Sequence, residues 1–298
     1  MEIITGLRKI PNLSLALGFF DGVHLGHQAV IGCAVELAHS SRCKSAVLTF
    51  EKHPEHYLND LQKKYIISTK DKYDLIEDLG VNYIIELDFE SIFKLNPTQY
   101  LEDILVKYFS PIAISTGFNH HFGVGRSGGV NFLANCQCRY NYLYAATPPQ
   151  TIFGEIISSS AIRRHIKSGT IPLVNSMLGR NFSISGTVIP GKKIGHTIGF
   201  PTANINYPEE IVELPNGVFA VRVILPDKSE HKGLANFGIS PTISADGKKS
   251  LETYILNFDD DLYGKDIKIE FIKMIRPEFQ FDSLDDLKTQ IEIDIQSL

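Results

Sequence analysis

The stretch GFFDGVHLGHQAVIG, residues 18 to 32, follows an apolar run and precedes a helix-like pattern. It carries two histidines, His24 and His27, interleaved with Gly22 and Gly26. Free backbone N–H groups and the helix dipole attract anions to the N-terminus of a helix, and glycines let the backbone approach a ligand without a Cβ in the way. A lone histidine at such a place is more often a packed or solvated residue. Two histidines in this setting instead predict a strand–loop–helix unit whose imidazoles donate to phosphate oxygens.

The bulk composition is that of a globular protein of two domains. The chain has 298 residues, which favours two domains over one. Its formal net charge of −5 and the lack of a basic block argue against nucleic acid as a partner. Four cysteines are too few for a disulfide scaffold, and Cys136-Gln-Cys138 is better explained by a helix or loop than by a metal clip. No signal peptide and no membrane-span length is found, so we expect a cytoplasmic protein without a membrane partner.

The first half alternates apolar runs with amphipathic stretches. Unbroken apolar runs suit strands that are buried on both faces of a parallel sheet, and their alternation with helices predicts an α/β layered domain. The predicted strands are LSLALG, SAVLTF, NYIIELD, PIAISTG and YNYLYAAT.

The pattern changes near residue 170. Residues 168 to 180, SGTIPLVNSMLGR, have the glycines and proline of a connector, although Met177 and Leu178 can pack. Short strands punctuated by glycine, proline and aspartate follow, which predicts a small antiparallel barrel or sandwich. These strands are NFSISGTVI, GVFAVRVIL, KGLANFG, SLETYILNF and KDIKIEFIKMI. The last segment predicts a helix capped by Ser283. We therefore predict two domains, residues 1 to 176 and 177 to 298.

Four motifs of the first half carry a resemblance to a known family. HLGH, residues 24 to 27, resembles the HxGH motif of nucleotidylyl transferases, and the longer GFFDGVHLGH resembles the FMN adenylyltransferase half of bacterial bifunctional riboflavin kinase/FAD synthetases. TFEKHP, residues 49 to 54, and TGFNHHFGVGR, residues 116 to 126, resemble flavin-side elements of that family, with Asn119 where aspartate is common. ISSSAIRRHI, residues 157 to 166, resembles the ISSTxIR motif. The implied fold is a Rossmann-like nucleotidylyl-transferase domain.

The resemblance also implies roles for individual residues. His24, His27 and Arg163 are the implied catalytic residues, acting by charge neutralisation and positioning rather than through a covalent intermediate. The implied ATP and phosphate contacts are Gly18, Phe19, Asp21, Gly22, Gly26, Ser158, Ser159 and Ser160. The implied flavin contacts in this half are His53, Pro54, Asn119, Phe122, Gly123 and Arg126.

The second half resembles the riboflavin kinase part of the same family. GTVIPGKKIGHTIGFPTANI, residues 186 to 205, resembles its signature, with His196 where arginine is usual. PNGVFAV, NFGISPT, SLETYILNFDDDLYGK and IRPEFQFDSLDDLKTQI resemble further elements in family order. The implied ATP contacts are Gly191, Lys192, Gly195, His196, Thr202 and Asn204, and Thr202 and Asn204 are also the implied Mg²⁺ ligands. Glu252 is the implied general base. Asn236 and Arg276 are the implied flavin contacts.

Three functions are compatible with these patterns. The resemblance implies a bifunctional enzyme that phosphorylates riboflavin to FMN and adenylylates FMN to FAD, using ATP and Mg²⁺, with FMN and FAD as substrate and products rather than prosthetic groups. An alternative is an FMN adenylyltransferase whose barrel is a non-catalytic flavin-binding or regulatory module, which the substitution at His196 motivates. A third is a flavin-responsive regulator or transport accessory, which predicts flavin binding without ATP turnover.

Overall fold

The computed structural model describes residues 1–58, 63–191, 198–239 and 249–298. Contacts between Cα atoms divide the chain into two compact units, Met1–Ser159 and Ser160–Leu298. The predicted ATP contacts Lys192, Gly195 and His196 lie outside the described residues, as does part of NFGISPT.

The first unit is built on a six-stranded parallel sheet. Its strands in spatial order are β1, β4, β3, β2, β5 and β6. Their bounds are β1 Glu2–Thr5, β2 Leu13–Leu17, β3 Lys44–Phe50, β4 Tyr83–Leu87, β5 Ala113–Gly117 and β6 Leu143–Thr147. All five residues of β2 are buried, as the unbroken apolar run predicts for a central parallel strand. The five predicted strands are confirmed, and β1 is an additional one.

Helices connect these strands. The long ones are α1 Leu25–Ser40, α2 Thr69–Asp78 and α3 Val130–Tyr140, together with a π-helical segment Tyr100–Phe109. Short helical turns occupy Glu55–Leu58, Phe89–Ile92, Pro97–Gln99 and Val124–Arg126. Two small antiparallel pairs join His121–Phe122 to Gly128–Gly129 and Thr151–Ile152 to Glu155–Ile156. Cys136 and Cys138 lie in α3 with free thiols, as the helix interpretation expected.

The strand order places a topological switch at β2. The chain passes from β2 to β3 on one side, whereas β5 lies on the other side of β2. In open α/β sheets, ligands bind beyond the carboxyl ends of the strands at such a switch. The loop of residues 18 to 24, between β2 and α1, lies at this edge.

The second unit is a curled antiparallel sheet with helices. Its strands in spatial order are β7, β12, β9, β10, β11 and β8. Their bounds are β7 Phe182–Thr187, β8 Thr202–Asn206, β9 Gly217–Ile224, β10 Glu230–Ile239, β11 Lys249–Ile255 and β12 Asp266–Pro277. The edge strands β7 and β8 approach each other, because a Cβ on Gly186 would lie 3.3 Å from Ile205 and Ile189 donates to the Asn204 carbonyl at 2.8 Å. The sheet therefore curls into a small half-barrel, which we call the barrel.

Three helices accompany the barrel: α4 Ser159–Lys167, α5 Ile171–Leu178 and α6 Leu284–Gln296. Helix α6 begins where predicted, since the Ser283 side chain accepts the N–H of Asp286. The connector expected over residues 168 to 180 is wrong, because α5 occupies most of it. Ile171, Val174, Met177 and Leu178 are all buried, and Asn175 fixes α5 to the barrel by donating to the Phe271 carbonyl at 2.9 Å. The predicted domain limit at 176/177 falls inside α5 and stays a prediction.

Candidate active sites

The loop between β2 and α1 is conformationally constrained. Phe20 and Val23 adopt positive φ angles of 60° and 38°, and Gly22 adopts 84°. Positive φ is unfavourable for bulky and β-branched residues, and it persists where the surrounding structure imposes it, often at functional sites. Gly22 is also close-packed, because a Cβ there would lie 3.0 Å from the Ile66 side chain. The loop is therefore held in one shape at the sheet edge where ligands bind.

His24 and His27 form one structural unit at the start of α1. His24 is the N-cap, and its Nδ1 accepts the backbone N–H of His27 at 3.2 Å, which leaves Nε2 as its donor when the ring is neutral. The two rings stack with their centroids 3.5 Å apart. Gly26 leaves room for this arrangement, because a Cβ there would lie 3.2 Å from the His24 ring. The paired imidazoles stand at the positive end of a 16-residue helix.

Asp21 anchors the loop to two other segments. Its carboxylate is only 4% exposed, and both oxygens accept the N–H of Ile66, at 3.0 and 3.2 Å. Its backbone carbonyl accepts a hydrogen bond from Ser159 Oγ at 2.9 Å. The structure thus brings the start of the SSSAIR motif against the GFFDGVHLGH loop, about 140 residues earlier in the chain.

The other residues of SSSAIR lie around the start of α4. Ser158 is half-buried and directly precedes the helix, Ser160 is exposed, and Arg163 is buried on the first turns of α4. Gly18, at the end of β2, packs under the Phe20 ring, where a Cβ would come within 2.8 Å. These positions leave the phosphate roles of the serines and Arg163 as predictions.

An aromatic cluster lies beside the loop. The Phe19 ring contacts the His53 ring edge-to-face at 4.7 Å and stacks on Tyr65 at 5.9 Å. His53 Nδ1 accepts the N–H of Glu55 at 3.1 Å, which orients its ring, and Pro54 leads into the helical turn Glu55–Leu58. The structure therefore brings the TFEKHP element to the same edge as GFFDGVHLGH. Tyr65 is a member of this cluster that belongs to none of the motifs.

The loop of residues 118 to 129 contains both buried and exposed side chains. Phe122 is half-buried and packs against Tyr100 and Phe132, at 5.1 and 5.8 Å, so it supports the core of the first unit. Burial lowers the pKa of His120 to about 4, and the neighbouring His121 adds to this effect. The three remaining predicted flavin contacts of this loop are Asn119 and Arg126, both exposed, and Gly123, which has a φ of 72°.

In the second unit, strand register aligns the predicted residues in a single row. Asn204 pairs with Glu252, Glu252 with Asn236, Asn236 with Val218, and Val218 with Arg276. Residues directly opposite in an antiparallel ladder point to the same face of the sheet. One row across five strands therefore collects the predicted metal ligand, the predicted base and both predicted flavin contacts of this half.

Asn204 forms the end of this row, and Thr202 lies two residues earlier on the same strand, opposite Tyr254. Asn204 is 4% exposed, and its Nδ2 donates to the Thr202 carbonyl at 3.1 Å, which leaves Oδ1 as an acceptor. The backbone of Gly191 covers it so closely that a Cβ would lie 2.4 Å from Nδ2. A hydroxyl and an amide oxygen beside a carboxylate are the hard oxygen donors that Mg²⁺ prefers. The residues present fit a magnesium ion.

A cavity of about 310 Å³ opens onto the row. Glu252, Asn236, Thr202 and Arg276 line it. Its aromatic walls are Phe200, Tyr254, Phe279 and Phe281, and α6 contributes Leu287, Ile291 and Asp294. A mostly apolar cavity with a few convergent polar groups is the usual form of a small-molecule site.

Arg276 is held by a carboxylate that the motifs did not identify. Asp294 of α6 is 2% exposed and accepts from Arg276 Nε at 2.9 Å, with a second contact to the terminal nitrogen at 2.9 Å. The guanidinium also lies over the Phe279 ring at 4.5 Å. The sequence contains a signal for Asp294, because it follows Leu287 and Ile291 at i+7 and i+3, on the apolar face of the predicted helix.

No helix within the described ranges is long and apolar enough to cross a membrane. In the same ranges, no group of three His, Cys, Asp or Glu side chains is placed to hold a metal ion. The proposed Thr202–Asn204 position is of a different kind, because it relies on hydroxyl and amide oxygens.

Comparisons with known proteins identify the family of each half of the chain. The family described as "FAD synthetase" matches residues 8–161, and the family described as "Riboflavin kinase" matches residues 178–298. A bifunctional riboflavin kinase/FMN adenylyltransferase of Listeria monocytogenes is 36% identical over 96% of this chain and 91% of its own length. One of the same name from Haemophilus influenzae is 33% identical over 100% and 98%. A crystal structure described as a macrolide-efflux protein from Streptococcus pneumoniae superposes with a TM-score of 0.88 at 25% identity, covering 99% of this chain and 98% of that one.

Proposed function

The chain belongs to the family of bifunctional riboflavin kinase/FMN adenylyltransferases, and from this premise we propose how its own residues divide the two reactions. The enzyme phosphorylates riboflavin to FMN and adenylylates FMN to FAD. The FAD synthetase match covers the parallel-sheet unit, and the riboflavin kinase match covers the barrel. The alternative of a non-catalytic barrel is not favoured, because the curated relatives named here are bifunctional over nearly the full chain.

The adenylyl transfer is assigned to the loop of residues 18 to 24 and the start of α1. The stacked pair His24 and His27, at the positive end of α1, carries this assignment. The phosphate of FMN attacks the α-phosphorus of ATP and pyrophosphate leaves, a reaction that needs positioning and neutralised charge more than covalent chemistry. The His24 Nε2–H and the His27 ring donate to phosphate oxygens. Ser159 and Arg163 add a hydroxyl and a fixed positive fork.

Flavin contacts of this reaction are assigned to the neighbouring edge. His53 contacts Phe19 of the loop of residues 18 to 24, and Pro54 follows His53 in the chain. Asn119, Phe122, Gly123 and Arg126 form the second flavin-side loop. An isoalloxazine ring is apolar and planar, so the aromatic cluster of Phe19, His53 and Tyr65 supplies suitable surfaces.

The phosphorylation of riboflavin is assigned to the row in the barrel. Glu252 carries this assignment, because it lies between Asn204 and Asn236 in register and lines the aromatic cavity. Glu252 accepts the proton of the riboflavin 5′-hydroxyl as that oxygen attacks the γ-phosphorus of ATP. Asn236 and Arg276 contact the flavin. Thr202 and Asn204 hold Mg²⁺, which when bound neutralises phosphate charge.

We also propose the compartment, the partners and the domain limits of the enzyme. We place the enzyme in the cytoplasm, where its four cysteines remain thiols. Its partners are the small molecules riboflavin, FMN and ATP, and the net charge of −5 argues against nucleic acid. The limits 1 to 176 and 177 to 298 remain our proposed domains.

A product assay tests the division of labour. Purified protein with riboflavin, ATP and Mg²⁺ should form FMN and then FAD, separated by chromatography. His27→Ala should reduce FAD formation and spare FMN formation, whereas Glu252→Gln should do the reverse. If each variant lost both activities together, the assignment of one reaction to each unit would be wrong.

A further inference from the structure

Helix α2 contains a buried lysine that the motifs do not include. Lys72 is 4% exposed, although lysine is almost never buried unless it is paired. Among the residues that the structure describes, none forms a hydrogen bond or a salt bridge with its ammonium group. An ammonium carries three donors and no acceptor. The ammonium of this largely buried side chain therefore keeps donors that the described chain does not fill.

Lys72 lies within the adenylyl-transfer site. Its Nζ is 4.5 Å from the centroid of the Phe19 ring and 5.2 Å from that of Tyr73. The charged groups that act on it are Asp21, from the phosphate loop, and Glu86, from the carboxyl half of β4. Phe19 and Asp21 belong to the loop of residues 18 to 24, which ends at His24 and leads into the first turn of α1 with His27. The lysine is thus placed at the sheet edge where ligands of this fold class bind.

The environment favours a transient anionic partner. Burial lowers the pKa of Lys72 to about 8, although Glu86 and Asp21 act in the opposite direction. The group is still mostly protonated at pH 7, so a cation is present while the internal carboxylates compensate only part of its desolvation. The cation–π contact with Phe19 is weak compared with that cost. A phosphate oxygen would supply a strong, charge-assisted hydrogen bond.

We propose that Lys72 binds a phosphate group of the substrates in the adenylyl-transfer reaction, its ammonium donating to a phosphate oxygen of FMN or of the ATP triphosphate. The assignment rests on the proposed function of the loop of residues 18 to 24. A cation at this place also balances charge on the attacking phosphate of FMN or on the phosphates of ATP, and such reactions gain much of their rate from neutralised charge.

The test compares Lys72→Met and Lys72→Arg with a matched control, Lys70→Met. Lys70 lies on the same helix, is exposed and pairs with Asp74. Lys72→Met should lower kcat/KM for FAD formation from FMN and ATP by about 10- to 100-fold, the range for hydrogen bonds to charged groups. Riboflavin phosphorylation by the same molecules should stay within about twofold, and Lys70→Met should match wild type in both reactions. A rise confined to the KM of FMN identifies the FMN phosphate as the partner, and a rise confined to the KM of ATP identifies the triphosphate.

A pH profile separates this role from a purely structural one. The kcat/KM of an enzyme reports the ionisations of its free form, so wild-type FAD formation should fall as pH rises through about 8. Asp21, Glu86 and Tyr73 face the ammonium, and burial raises the pKa of Glu86. Lys72→Arg should recover part of the activity and lose this alkaline decline. The proposal is overturned if Lys72→Met keeps FAD formation within about twofold of wild type, or if the decline near pH 8 persists in Lys72→Arg.

A comparison with His27→Ala shows whether a negative result concerns Lys72 alone or the location of the whole adenylyl-transfer site. If wild-type protein forms FAD but His27→Ala does so equally well, the loop of residues 18 to 24 is not the adenylyl-transfer site. If His27→Ala loses FAD formation and Lys72→Met does not, the site stands and the role of Lys72 is wrong.

Discussion

The buried ion pair between Arg276 and Asp294 should make Asp294→Asn strongly destabilising. The side chains are 15% and 3% exposed, and the carboxylate accepts from Nε at 2.9 and 3.2 Å and contacts the terminal nitrogen at 2.9 Å. Gln290 also donates to Asp294, at 2.9 Å. Removing one partner of such a buried pair leaves a charge without compensation and costs about 3–5 kcal/mol. For a unit of this size, the melting temperature should fall by about 10–20 °C.

Thermal unfolding followed by calorimetry measures this effect, with Glu292→Gln as the control. Glu292 lies two residues earlier on α6 and is exposed, so its replacement should change the free energy of unfolding by less than about 0.5 kcal/mol. The double variant Arg276→Met, Asp294→Leu removes both charges and should recover most of the stability. It should still bind riboflavin more weakly, since Arg276 is assigned to the flavin. An Asp294→Asn protein that melts within about 3 °C of wild type would refute the reasoning.

Three further predictions concern the catalytic groups and Lys72. Glu252→Gln should lower riboflavin phosphorylation by about 100- to 10,000-fold, as expected for a lost general base, with FMN adenylylation by the same sample as the internal control. Gly191→Ala should raise the KM of ATP in riboflavin phosphorylation, because the new Cβ would lie 2.4 Å from Asn204 Nδ2; an unchanged KM would show that the contact is irrelevant to ATP. Lys72→Met should melt higher than wild type at pH 7, because lowering the lysine pKa from 10.5 to about 8 costs the folded state about 3 kcal/mol. The unfolded chain binds more protons between pH 8 and 10.5, so wild-type stability rises there and the difference should shrink; a difference independent of pH would contradict this.

The fold was predictable wherever burial leaves a clear pattern. Strand β2 is buried throughout, and its apolar run predicts a central parallel strand. Strand β1 was missed because only one of its four residues is buried, which leaves no pattern to recognise. Strand β8 is not among the predicted strands because the glycines and proline before it leave no apolar pattern, whereas pairing with β11 makes Thr202–Asn206 extended. The sequence predicts a connector where α5 lies because glycines and a proline obscure the apolar positions of this helix.

The sequence predicts which residues belong to the sites, but not how these residues are arranged in space. The motifs name Asn204, Glu252 and Asn236, but only the strand register shows that they form one row. Likewise, the sequence names Asp21 and Ser159 separately, whereas their hydrogen bond joins segments that are far apart in the chain. Long-range pairing of this kind depends on the packing of the whole unit, which local patterns do not specify.

The two buried charged residues Asp294 and Lys72 show how a contribution to catalysis can be distinguished from a contribution to stability. Asp294 is satisfied by Arg276 and Gln290 within its own unit, so replacing it should cost stability first. Lys72 has no hydrogen-bonding partner among the described residues and keeps a depressed pKa, so replacing it should increase stability and cost activity. A buried charge that weakens the folded state is retained where function requires it. Opposite shifts in melting temperature for Asp294→Asn and Lys72→Met would therefore distinguish a charge that maintains the fold from one that serves the reaction.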